Sequence, residues 1–359
     1  MKKKCLMLGV GGMAHSWIFD FWARQAQRME FAALVDVNSD ALKTAGEKLG
    51  LPASALFTDA ERAFERVEAD FCCIVTPPRF HRIAVELACA RKMDILSEKP
   101  IAASWEDAVS ITQAVQKAGV KMMVTQNYRY TPRILTLKTA ISQLGQVNYA
   151  VGRYAGDYRA RGSLGADFLY QMAHPLLVEC AIHHFDQLRN LTGGDAETVC
   201  GYEWHPGLAR GAQNSFEGSD AFAGQPCALF VVQMSNGAFA HYEGSNVASG
   251  EVNSWHREAY RVECEGGTAI LDRDDKVWIV KRENGQSQAR EMATVAVEFD
   301  GHAAIANQFL DWLEGGAAPI TVLDDNLKSN ALLFAAIRAS EEKRVVNVRE
   351  MLTKAGIGA

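Results

Sequence analysis

The chain has 359 residues, 48% of them hydrophobic and 22% charged, with a formal net charge of -6 at pH 7. That length exceeds one ordinary core and predicts two domains, and the composition is that of a soluble globular protein. The acidic balance argues against a phosphate-tracking nucleic-acid surface and against an anionic-membrane binder, which leaves small molecules as the expected partners.

Met1-Lys2-Lys3-Lys4 followed by Cys5 to Leu8 has the outline of a secretory leader, but the apolar stretch breaks at Gly9 and meets His15 and Asp20. It reads as a first strand. The most apolar later segment, near Leu332, is flanked by Lys328 and Arg338, too close for a membrane span of roughly 18 apolar residues. The eight cysteines form no C-x-x-C pair and read as reduced, buried thiols of a cytoplasmic protein.

Between residue 4 and about 127, short apolar runs alternate with helical patterns, which predicts a parallel sheet covered by helices. Strands are expected at Lys4–Leu8, Phe31–Asp36, Ala55–Phe57, Asp70–Val75, Asp94–Leu96 and Met122–Thr125. Ser39 precedes a helical run that ends at Gly50, Thr58 with Glu61 has capping-box spacing, and Ser104 with Asp107 has it again. About six such units make a doubly wound α/β Rossmann domain.

After residue 127 the rhythm changes. Pro132 opens a helical stretch, Val147–Tyr154 alternates like a strand, and an aperiodic segment runs to His174. A helix is expected from about Ala173 to Leu191. Asn236-Gly237, Gly266-Gly267, Asp274-Asp275 and Asn284-Gly285 then punctuate strand-like runs as hairpin turns do. This predicts an α+β domain with a mostly antiparallel open sheet. Asp324 is placed as the cap of a late helix reaching about Arg344. The domains are therefore set at 1–127 and 128–359, with the late helix (about 325–344) a candidate to pack back on the first.

Gly9, Gly11, Gly12, Met13 and Ala14 lie where the first strand turns into a helix, in the order Gly-x-Gly-x-x-Ala. Side-chain-free backbone there admits a close ligand, and a helix N-terminus offers unpaired N–H groups to a phosphate. Asp36 ends the second strand about 20 residues further on, where this fold sets an acid against ribose hydroxyls. Val37, Asn38 and Ser39 follow with no arginine to hold a 2′-phosphate, which favours NAD over NADP. Thr76-Pro77-Pro78 with His81, and Glu98-Lys99-Pro100, fall at the carboxyl ends of the fourth and fifth strands, along the ligand crevice of such sheets.

In the second domain Glu179, His183 and Asp186 share a helical stripe, and a carboxylate beside an imidazole can orient it as a general base. His184 points away and reads as a core histidine. The 154–174 segment brings Tyr158 together with Asp157, Arg159 and Arg161, which suits a polyol but equally a subunit interface. No third ligand accompanies Glu179 and His183 at metal-site spacing, so no metal is expected.

The glycine turn, Asp36, Thr76-Pro77-Pro78 and above all Glu98-Lys99-Pro100 resemble the glucose-fructose oxidoreductase, inositol dehydrogenase and MocA family. Gln126-Asn127-Tyr128-Arg129-Tyr130 matches the segment leaving that family's nucleotide domain, and the similarity then covers nearly the whole chain. The resemblance implies that Lys99 lies beside the nicotinamide and the substrate and that His183 is the family's histidine. The family pattern Asp-x-Gly-x-His-x-x-Asp is kept at His183 and Asp186, with Glu179 replacing the first Asp and Ala181 the Gly. The cofactor set that follows is Gly9, Gly11, Gly12, Met13, Ala14, Asp36, Thr76, Pro77, His81, Glu98, Lys99 and Gln126. The substrate set is Lys99, Arg129, Tyr158, Glu179 and His183, of which Lys99, His183 and Glu179 are the catalytic candidates.

The expected activity is NAD-dependent hydride transfer to or from a secondary alcohol of a sugar, cyclitol or related polyol, in a homodimer or homotetramer. Two alternatives stay open: a glycosidase that retains NAD through a transient redox cycle, and a non-catalytic regulator that senses NAD or a sugar.

Overall fold

A computed structural model describes residues 1–206, 221–250, 252–253 and 257–356. The chain divides into two units: residues 1–130 with 298–327, and residues 131–297 with 328–359.

In the first unit, strands β1 (Lys3–Leu8), β2 (Met29–Val35), β3 (Leu56–Phe57), β4 (Phe71–Ile74), β5 (Asp94–Ser97) and β6 (Met122–Val124) form one sheet in the order β3-β2-β1-β4-β5-β6. Every pairing in it is parallel. All residues of β4 and β6 are buried, as strands covered on both faces require. The six strands fall where the apolar runs predict them, with ends shifted by one or two residues.

The caps differ in detail. Asn38, not Ser39, caps the helix Ser39–Leu49 by accepting from the Asp40 and Ala41 amides. Asp59 rather than Thr58 caps Ala60–Arg66. Both are a residue or so from the expected position because Asn and Asp compete well for the same amides. Ser104 caps Trp105–Ala118 as its spacing predicts, accepting from the Asp107 amide at 3.1 Å.

The stretch 298–327 completes this unit. Its helix Gly301–Leu313 places Ala304, Ile305, Phe309 and Leu310 in one apolar cluster with Cys5, Met7, Phe71 and Leu96. Val322 bridges to Met123 of β6.

The second unit is built on a nine-stranded sheet. Its strands are β7 (Val147–Ala155), β8 (Ala196–Trp204), β9 (Cys227–Met234), β10 (Phe239–Ser245), β11 (Ala259–Cys264), β12 (Gly267–Leu271), β13 (Val277–Glu283), β14 (Gln286–Glu291) and β15 (Val346–Asn347). They lie in the order β14-β13-β12-β11-β7-β10-β9-β8-β15. Neighbours are antiparallel except β7 and β10, which run parallel. The four predicted turns each join consecutive antiparallel strands.

The expected 173–191 helix is two pieces, a π-helical stretch Leu176–Ala181 and an α-helix Ile182–Thr192. Asp324 lies in the first turn of the late helix Leu323–Glu342 instead of capping it. No helix among the described residues is long and apolar enough to cross a membrane.

Candidate active site

Gly9 has φ +97°, and a Cβ there would sit 2.2 Å from the Val75 carbonyl oxygen, so no other residue fits between β1 and β4. Around Gly11 and Gly12 a Cβ would meet nothing within 4 Å, and Gly12 has φ +51°. These two glycines bare backbone to open space at the start of the helix Met13–Ser16, while Ala14 is fully buried and Met13 is half-exposed. The helix does not continue regularly. It passes into a π turn at Trp17–Phe21 and a 3-10 turn at Trp22–Gln25.

Asp36 grips both sides of this turn. One carboxylate oxygen accepts from the Val10 amide at 2.9 Å and the other from the Asn38 amide at 2.9 Å. Val37, next in the chain, is 92% exposed.

At the end of β4 the Thr76 hydroxyl is buried with no hydrogen-bond partner among the described residues, and the buried Asn127 carbonyl oxygen beyond β6 is in the same condition. Gln126, also buried, lies two residues beyond β6, and Pro77 leads into the 3-10 turn Pro78–Phe80.

His81 is fully buried, with Nε2 2.8 Å from the Thr76 carbonyl and Nδ1 3.1 Å from those of Pro100 and Ile101. Burial pushes its pKa down against the pull of these carbonyls. The ring thus joins the loop after β4 to the loop after β5.

Glu98 is the most heavily bonded group here. Oε1 accepts from the Trp17 indole at 2.8 Å and lies 3.6 Å from His302 Nε2. Oε2 accepts from the Thr125 hydroxyl at 2.7 Å and from the Lys99 amide at 3.2 Å. Burial alone would raise this carboxyl, but His302, the Lys99 charge and the Thr125 hydroxyl outweigh it and hold Glu98 at about 2. The Lys99 backbone is therefore fixed through its amide, which also lies 3.2 Å from the Thr125 hydroxyl oxygen.

Arg129 does not present its charge outward. It is buried, ion-paired with Asp325 at 2.8 Å and donating to the Ile320 carbonyl at 3.1 Å. Its guanidinium ties residues 127–130 to Ile320 and to the first turn of the late helix.

In the second unit, half-buried Glu179 sits in the π-helical stretch, and His183, 2% exposed, follows in the α-helix. Such π turns recur at functional positions because they re-aim one side chain without ending the helix. This helix is buried all round, so the predicted polar stripe is internal. Asp186 is fully buried and accepts from the Ser329 hydroxyl at 2.7 Å. His184 is a core histidine, as its direction predicts: Nδ1 lies 2.9 Å from the Tyr242 hydroxyl and Nε2 3.3 Å from Glu258, which pairs with Arg133 at 2.7 Å.

Tyr158 accepts a hydrogen bond from the Tyr154 hydroxyl at 2.8 Å. It packs so closely on Gly156 that a Cβ there would lie 2.2 Å from its ring. Its amide donates to the carbonyl of Asn246, whose buried side-chain nitrogen has no partner among the described residues. Asn246 and His302 carry no sequence signal: both lie far along the chain from the residues they meet.

The first unit fits a dinucleotide. Gly9 packs closely against Val75, the open space at Gly11 and Gly12 would admit a pyrophosphate, and Asp36 follows β2 where ribose hydroxyls would lie. The unpartnered Thr76 hydroxyl and Asn127 oxygen leave hydrogen-bonding capacity at the carboxyl edge of the sheet.

Comparison with known proteins agrees with this chemistry. The profile of an oxidoreductase family with an NAD-binding Rossmann fold matches residues 3–126, and that of its C-terminal alpha/beta domain matches 168–348. The uncharacterized protein y4oX of Sinorhizobium fredii is 36% identical, covering 100% of this chain and 99% of its own. The D-apiose dehydrogenase of Paraburkholderia graminis is 25% identical over 95% of this chain and 87% of its own. An Agrobacterium radiobacter oxidoreductase, crystallised with NAD+, L-tartaric acid and magnesium, superposes with a TM-score of 0.81 at 20% identity, covering 98% of this chain and 100% of its own. With both of its domains matched, the chain belongs to the glucose-fructose oxidoreductase, inositol dehydrogenase and MocA family of NAD-binding oxidoreductases.

Proposed function

We propose that the protein oxidises a secondary alcohol of a sugar, cyclitol or related polyol reversibly, with NAD as the hydride carrier. The observation that carries this reading is Lys99, held by its amide on Glu98 and Thr125 at the carboxyl end of β5 in a nucleotide-binding unit. Bound NAD supplies the hydride acceptor. The chain's own residues orient the alcohol and manage its proton. Lys99 stabilises negative charge developing on the reacting oxygen, and His183 takes the hydroxyl proton, with Glu179 one turn earlier influencing the imidazole. Tyr158 and the Asn246 amide supply hydrogen bonds to further hydroxyls. The relative named as a D-apiose dehydrogenase supports a carbohydrate substrate. A panel of neutral sugars and cyclitols assayed for net NADH formation tests the reading. Sugar release without net NADH would point instead to the NAD-retaining glycosidase.

The assembly belongs to the same proposal. Tyr202 and Trp204 of β8, Leu229 and Val231 of β9 and Phe239 of β10 are all exposed, and the register sets Tyr202 beside Leu229. Such an apolar sheet face fits a second copy of this chain. Eight cysteines, none in a disulfide among the described residues and seven of them buried, suit a reducing compartment, and we place the enzyme in the cytoplasm.

A further inference from the structure

His302 is not part of any motif, yet it sits in the most elaborate polar cluster of the nucleotide unit. Its ring stacks on Phe21 at 4.9 Å with an interplanar angle of 15° and meets the edge of Trp17 at 5.5 Å and 87°. Nε2 lies 3.6 Å from Glu98 Oε1, the oxygen that also accepts from Trp17. The other oxygen of the same carboxylate holds the Thr125 hydroxyl and the Lys99 amide. A carboxylate is planar, so the groups on its two oxygens together set its orientation: the Trp17 hydrogen bond and the His302 charge contact on Oε1, the Thr125 hydroxyl and the Lys99 amide on Oε2. Phe21 stacks on the imidazole and Trp17 meets it in a T-shaped contact, with Nε2 3.6 Å from Glu98 Oε1.

We propose that His302 is a positioning residue for Lys99, acting through Glu98. It keeps the carboxylate turned so that Oε2 stays on the Lys99 amide, and this inference rests on the reading that Lys99 meets the reacting alcohol. Trp17 has the same part on the same oxygen. Because Trp17 belongs to the helix that begins at the glycine turn, the cluster links the pyrophosphate end of the dinucleotide site to the lysine.

The test uses full-length protein labelled with 15N-lysine, in which the Lys99 amide resonance is identified by its loss in Lys99→Arg. His302→Phe keeps the stacking on Phe21 and removes the nitrogen. His302→Gln keeps a nitrogen donor. In His302→Phe the Lys99 amide exchanges with solvent about tenfold faster and kcat falls about tenfold, while KM for NAD stays within about twofold. His302→Gln restores both. Trp17→Phe, used if His302→Phe does not fold, produces the same acceleration. An unchanged amide exchange rate and kcat in a folded His302→Phe overturn the proposal. The amide measurement needs no substrate, so a wild-type protein that oxidises no polyol defeats the functional reading alone and leaves this one to be decided separately.

Discussion

The Asp36 carboxylate accepts a hydrogen bond from the Val10 amide at 2.9 Å, so the acid that ends β2 is tied to the glycine turn that follows β1. On the proposed reading this carboxylate faces the adenosine ribose and would repel a 2′-phosphate. NADH is expected to bind at least about tenfold more tightly than NADPH. Asp36→Ala narrows the gap, and it weakens both cofactors by loosening the turn. Fluorescence titration with the two reduced cofactors checks this, and equal wild-type affinities contradict it.

Lys99→Ala is expected to lower turnover by on the order of 10²-fold, because an ammonium beside a developing oxyanion acts mainly in the transition state. NADH affinity stays nearly unchanged. Steady-state kinetics beside a cofactor titration separates the two, and full turnover in the variant removes Lys99 from the chemistry.

The adjacent histidines divide cleanly. His183→Ala loses on the order of 10² to 10⁴ in turnover. His184→Ala breaks the Tyr242 and Glu258 contacts and costs about 3 kcal/mol of folding free energy, read from urea midpoints. The reverse pattern, an active His183→Ala, would place the base elsewhere.

Glu98 makes stability acid-sensitive. Its folded value of about 2 lies below the unfolded carboxylate's, so its contribution is complete above about pH 4.5 and is lost as pH falls toward 2. The shift corresponds to about 3 kcal/mol. Between pH 6 and pH 3 the wild type should therefore lose more stability than Glu98→Gln, which carries no proton to gain. Parallel denaturation curves for the two proteins across that range would refute the coupling.

Val231→Asp, on the exposed sheet face, is expected to convert the assembly to a monomer and to lower its melting temperature by what the second copy contributes. Light scattering coupled to gel filtration decides it, and a monomeric wild type disproves the assembly.

What the sequence discloses follows from how local each signal is. The six parallel strands are legible because each is a short apolar run bounded by turn chemistry, and Gly9 and Asp36 because their spacing belongs to one βαβ unit. The cap at Ser104 is legible for the same reason. Asn38 and Asp59 displace the expected caps because neighbouring residues of similar chemistry differ only in which one the chain aims at the amides. The π turns at Trp17 and Leu176 leave no trace in composition. His302, Asn246, and the pairing of Arg129 with Asp325 depend on contacts between distant parts of the chain. The three backbone carbonyls around His81 are likewise set by the folded loops and not by its place in the chain.

The return of residues 298–327 to the first unit bears on how the protein is made. A ribosome that has released only the leading strands has not yet supplied Ile305, Phe309 and Leu310, which share a core with Cys5 and Phe71. The nascent sheet must wait with that apolar face uncovered until the second unit's strands have been translated, a long interval in which chaperones have a surface to hold. A gene fragment ending near residue 127 would be stranded permanently in the same condition.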